Sequence, residues 1–193
     1  MGVKNPVAPW TPVLLRSAAA AVYGLLSIFL PTQDTTFVSI AGGLYLLVTG
    51  VAMWRVAAVA GAGEVPGLRP LLLAESALYA VAGILIAALQ DNWVFALAGG
   101  AALVVGGVVE LMFWFRARSR FLPARDWLIT GVTSIGAAVL LPVMLQMGLD
   151  ARALLGVSGG SAVIIAVILA TSGFGARHDA RQSAAPRAAD AVN

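Results

Sequence analysis

Six stretches of this chain are each long and apolar enough to cross a lipid bilayer, and this limits the fold before any motif is considered. They run from Val13 to Leu30, Thr36 to Trp54, Leu71 to Leu89, Trp93 to Phe115, Trp127 to Gln146 and Ala153 to Phe174. About 20 mostly apolar residues in a helix span the hydrocarbon core, and a helix satisfies its backbone polar groups internally there. Composition agrees: 60% of the 193 residues are hydrophobic and 11% are charged, against about 25% charged in an ordinary soluble domain. The expected fold is therefore all-α and polytopic. Residues 1–12 precede a six-helix membrane domain at 13–174. Residues 175–193, small, polar and Ala-rich, read as a disordered tail. The first apolar run is followed by "FLPTQDTT" rather than a small-residue cleavage site, so it reads as a retained helix.

The basic residues orient this domain. Lys4, Arg16, Arg55, Arg69, Arg116, Arg118, Arg120, Arg125, Arg177, Arg181 and Arg187 fall on one side, and Arg152 alone falls on the other. The positive-inside rule then puts both termini in the cytoplasm. Trp10, Trp54, Trp93, Trp114 and Trp127 sit at helix ends, as interface anchors do.

The chain repeats itself. "IAGGLYLLVTG" from Ile40, "LAGGAALVVGG" from Leu97 and "VSGGSAVIIAV" from Val157 each lie in the second helix of a pair. Gly42, Gly99 and Gly159 align, as do Gly43, Gly100 and Gly160, while Gly50 aligns with Gly107 and the third copy has Val167. The first helices align through "RSAAAAVYG" from Arg16, "ESALYAVAG" from Glu75 and, more weakly, "LITGVTSIG" from Leu128. Three parallel-oriented hairpins follow, at about 12–58, 70–118 and 126–174, arranged as a pseudo-threefold bundle. Glycines seven apart share a helix face and let backbones approach closely in lipid. A phosphate-binding loop needs a strand and a turn before a helix, and these glycines lie inside apolar runs. The linker "AGAGEVPGLRP", with Gly61, Gly63 and Gly67, runs into a membrane span and reads as a turn.

Ionisable residues inside the apolar runs carry the functional interest, because they are costly there. Arg16 and Glu75 match between copies, and Glu110 lies at similar depth in the fourth helix. One reading is a charge cluster that binds a headgroup, moves a proton or gates a path. The other is a structural Arg16–Glu75 pair, with Glu110 snorkelling or paired with Arg55 or a loop arginine. Tyr79, one turn from Glu75, either hydrogen-bonds that carboxylate or simply packs. Asp34, Asp91 and Asp150, one per hairpin link, read as solvated turn residues or a weak acidic ring. The chain has no cysteine, and its one histidine, His178, lies in the tail. No catalytic set, metal site or cofactor is expected, and the net charge of +3 gives no reason to expect a nucleic-acid partner.

The hairpin with "AGG…VTG" or "AGG…VGGVVEL" in its second helix, and the module end "GGVVELMFWFRAR", resemble the HdeD family of small bacterial inner-membrane proteins. The resemblance covers about Pro12 to Phe174, and the third copy departs most from it. It implies a non-enzymatic inner-membrane protein linked to acid resistance or envelope stress, with no established catalytic residues. A small channel or transporter using the charge cluster is the alternative class; it would show a water-reachable cavity on the cytoplasmic side. An accessory subunit of a larger membrane complex is another. Partners would be the bilayer, anionic lipids at Arg116, Arg118, Arg120 and Arg125, and a membrane-protein partner or a second copy.

Overall fold

A computed structural model describes residues 10–30, 34–59, 67–117 and 124–190. Lys4, Gly61, Gly63, Arg118 and Arg120 lie outside them, as do the side chains of Arg125 and Arg187. The described chain is helical throughout: α1 (Trp10–Phe29), α2 (Thr35–Val59), α3 (Leu68–Leu89), α4, α5 (Ala124–Gln146) and α6 (Ala151–Asp190). α4 is one span in three pieces: an α turn at Asn92–Val94, a π turn at Phe95–Gly99 and an α-helix at Gly100–Ala117. All six are long and apolar enough to cross a membrane. Burial is arranged to match. Many large apolar side chains, such as Val22, Ile28, Leu44, Ile84, Leu97, Val139 and Val167, are exposed, while the interior mixes Ala, Leu and Ile with buried Ser, Thr, Tyr and three charged residues. So large an apolar exterior needs lipid as its solvent. The chain is a multi-pass membrane protein.

Each hairpin link ends in an aspartate that starts the returning helix. Asp34 Oδ1 accepts from the Phe37 N–H at 2.7 Å. Asp91 Oδ1 accepts from Trp93 and Val94 at 2.8 and 3.0 Å. Asp150 Oδ1 accepts from Arg152 and Ala153 at 3.0 and 3.3 Å. These acids are N-caps, which satisfy donors that a helix start leaves orphaned. They mark one end of the bundle, here the aspartate end. The opposite, arginine end carries Arg55, Arg69, Arg116, Arg177 and Arg181.

The helices pack most extensively across hairpins, not within them: α2 on α3, α4 on α5, and α6 back onto α1. Three equivalent seams close the ring. At the first, a Cβ on Gly43 would stand 2.6 Å from the Gly83 carbonyl oxygen, and the Ser76 hydroxyl donates to the Gly50 carbonyl at 2.8 Å. At the second, Gly107 and Gly131 are in similar apposition, at 2.7 Å, and Gly100 lies 3.3 Å from the Ala138 carbonyl by the same measure. At the third, Gly24 faces Gly159 at 3.2 Å, and Ser17 donates to the Ala166 carbonyl at 2.8 Å.

These contacts correct the third copy of the alignment. Gly43, Gly100 and Gly159 are the equivalent positions, and Gly50, Gly107 and Ala166 are another set. Gly160 is exposed, and a Cβ there would meet nothing, so it is not a packing glycine. Val167 faces outward, 58% exposed. Gly42 and Gly99 face the interior, toward Phe95 and Ile86.

A second correction concerns the tail. The helix does not stop at Phe174 but continues to Asp190. Ala and Arg make up nine of the sixteen residues at 175–190 and are strong helix formers. Arg177 lies over the Trp10 ring, 5.4 Å from its centre, which ties the extension to α1.

Candidate functional site

The seams place the ionisable residues. Ser17, Ser76 and Gly131 occupy one equivalent position, so the residues just before them, Arg16, Glu75 and Thr130, form a ring of three around the bundle. All are buried. Three residues beyond Gly50, Gly107 and Ala166 stand Met53, Glu110 and Leu169, a second buried ring. The third copy thus contributes Thr130, not Leu128, opposite Glu75. The repeat builds two rings, and charge is written into only three of their six places.

Arg16 and Glu110 form a hydrogen-bonded ion pair across α1 and α4. The expected Arg16–Glu75 pair is not formed, and Glu110 neither snorkels nor reaches Arg55. The chain's spacing showed that the three groups share a depth, but not their angular positions around their helices. Glu75 is 1% exposed, and both its carboxylate oxygens lack a hydrogen-bond partner among the described residues. So do Glu110 Oε2, Arg16 Nε and the Tyr79 hydroxyl. Arg16, Glu75 and Glu110 interact electrostatically with one another, and Tyr45 and Tyr79 join them. Tyr79 does not hydrogen-bond Glu75. Its ring is seated against Gly106, where a Cβ would lie 2.7 Å from Cζ. With all three ionised the cluster carries a net charge of −1 in a medium that penalises any unpaired charge. One bound proton would neutralise it.

The surroundings differ on the two sides of this cluster. Met53, Ala57, Leu72, Val109 and Phe113 form a separate buried apolar cluster that begins level with Glu110 and extends toward the arginine end, with Trp127 against Phe113 at 5.5 Å between ring centres, and on that side the Ser172 hydroxyl donates to the Asp126 carboxylate. Toward the aspartate end lie polar groups that the sequence reading passed over. Tyr23 and Tyr45 stack face to face, 4.8 Å apart and 3° from parallel. The hydroxyls of Tyr23 and Ser158 are hydrogen-bonded at 2.7 Å. Both tyrosines and Ser158 line a small cavity with Gly42, Gly99 and Ser161. A sequence signal was available: two tyrosines inside apolar runs, each a full turn or more from the helix ends. Among the described residues no cluster of His, Asp and Glu is placed to hold a metal ion.

Residues 15–88 match the family described as a short repeat of unknown function, DUF308. The match spans most of α1, all of α2 and nearly all of α3, and so includes the first seam. It agrees with a membrane protein built from a repeated module. No curated protein and no solved structure matches the chain.

Proposed function

We propose that this chain is a non-enzymatic, multi-pass protein of a bacterial inner membrane that supports acid tolerance, with Glu75 as the group that takes up a proton. The single observation behind this is the buried Glu75 carboxylate, which has no hydrogen-bond partner among the described residues and lies beside an already formed Arg16–Glu110 pair. The HdeD-like hairpin motifs support the acid-stress context. The arginine excess at one end supports a cytoplasmic position for both termini.

Survival after acid challenge tests the reading in bacteria whose own gene is deleted. Cells supplied with the wild-type chain should survive, and cells supplied with Glu75→Gln should die like the deletion strain. Membrane abundance of each variant must be equal. If Glu75→Gln and Glu110→Gln both protect as well as wild type, the reading is wrong.

A further inference from the structure

Five buried oxygen atoms have no hydrogen-bond partner among the described residues: both of the Glu75 carboxylate, Oε2 of Glu110, and the hydroxyls of Tyr79 and Ser134. Their residues are at most 1% exposed. A buried polar atom in a native fold almost always has a partner, so several together point to one that the chain itself does not supply.

Packing brings these residues to one place. The Tyr79 side chain leaves α3 beside Gly50 and ends against Gly106 of α4: a Cβ on Gly50 would lie 3.3 Å from Tyr79 Cβ, and one on Gly106 would lie 2.7 Å from Cζ. Glu75 stands four residues before Tyr79, and Glu110 four residues after Gly106. Because α3 and α4 run in opposite directions, both carboxylates lie one turn from this contact on its arginine side. Arg16 holds Glu110 there. On α5, Ser134 is the counterpart of Tyr79, each three residues beyond its seam position, Gly131 or Ser76. From α6 the corresponding residues are Ile165 and Leu169, both apolar and buried.

The chemistry of the set narrows its ligand. All five atoms are oxygens, which suit hard cations rather than transition metals. The ionised cluster of Arg16, Glu75 and Glu110 carries −1. A single positive charge neutralises it, whereas a divalent ion would leave a buried +1. We infer that the ionised cluster binds one dehydrated alkali cation between Glu75, Glu110, Tyr79 and Ser134, in exchange for the proton on Glu75. The inference deepens the reading of Glu75 as the proton acceptor and rests on it. In the exchange the Glu75 O–H bond breaks, the proton leaves to water and the cation takes its place, so the site is neutral in both states. The other titratable groups around it are Arg16 on α1, Tyr45 on α2 and Asp126 on α5. Asp126 lies one turn beyond Thr130 toward the arginine end, where the Ser172 hydroxyl of α6 donates to it.

Purified protein in mild detergent tests the exchange in lithium, sodium, potassium and choline chlorides at equal ionic strength. A carbodiimide that reacts with protonated carboxyls reports the proton on Glu75, read by mass spectrometry. Near neutral pH at least one alkali cation should slow Glu75 modification saturably relative to choline. At ten times its half-effect concentration the slowing should be roughly ten-fold, as mass action requires. Lower pH should remove the protection, and Ser134→Ala should raise the half-effect concentration. The same cation should raise the unfolding temperature of wild type but not of Glu75→Gln. Equal modification rates in all four salts overturn the inference while leaving Glu75 a proton acceptor. A cation effect on unfolding that persists in Glu75→Gln puts the ion elsewhere and overturns it as well. Glu75 that stays unmodified at every pH, in choline as in the other salts, overturns the underlying reading itself.

Discussion

Glu75 and Glu110 are both buried acids, yet their surroundings give them opposite parts in stability. Glu110 neutralises Arg16; replacing it with Gln leaves a buried guanidinium without its counter-charge. That should cost about 3–5 kcal/mol, the usual penalty for breaking a buried pair. Glu75 has no hydrogen bond to lose among the described residues, and Glu75→Gln removes a negative charge beside Glu110. Thermal unfolding in mild detergent should therefore show Glu110→Gln clearly destabilised and Glu75→Gln at least as stable as wild type. Replacing Arg16 and Glu110 together with Met should recover most of the lost stability, since well-packed apolar residues often serve as well as a buried pair. Equal destabilisation by the two single Gln variants would contradict this division. The sequence showed that Arg16, Glu75 and Glu110 were expensive and similarly deep, because depth follows from counting residues along an apolar run. It did not show which two would pair. That choice depends on helix rotation and on which neighbours meet, and the preference for cross-hairpin packing decided it.

At the scale of the helices, the seams make a graded series of tests. An Ala at Gly43 would put its Cβ against the Gly83 backbone, where no side chain can move aside. An Ala at Gly160 would meet nothing. The first should lower the unfolding temperature by several degrees and the second should leave it unchanged. Ser76→Ala removes one hydrogen bond across the same seam, worth about 0.6 kcal/mol by the average for such bonds in lipid. Repeat periodicity was legible in the first two copies because glycines mark both ends of each packing face. In the third copy the seam uses Gly159 and Ala166, so matching glycine to glycine shifts the register by one residue. The aspartates were visible as a recurring feature, but their capping role needed the geometry of Asp34, Asp91 and Asp150 against the helix starts. The helical extension beyond Phe174 is hidden by its polar composition, because the helix-forming strength of Ala and Arg leaves no apolar periodicity to mark it.

For the whole molecule, orientation is open to a direct check. The chain has no cysteine, so single cysteines report without background. A cysteine at Gly148, between α5 and α6, should react with an impermeant maleimide in intact cells. One at Arg181 should react only after the inner membrane is opened. The reverse pattern would invert the bundle.

The ring closed by α6 on α1 also bears on how the protein is made. Arg16 precedes Glu110 by 94 residues, and the third seam waits for the last helix. During synthesis the first helix must therefore enter the bilayer carrying a guanidinium whose final counter-ion does not yet exist. Glu75 emerges before Glu110 and is the first acid inside a span. Assembly thus has an order imposed by the gene: the first helix needs interim shelter, and partner exchange from Glu75 to Glu110 offers one route to the finished bundle.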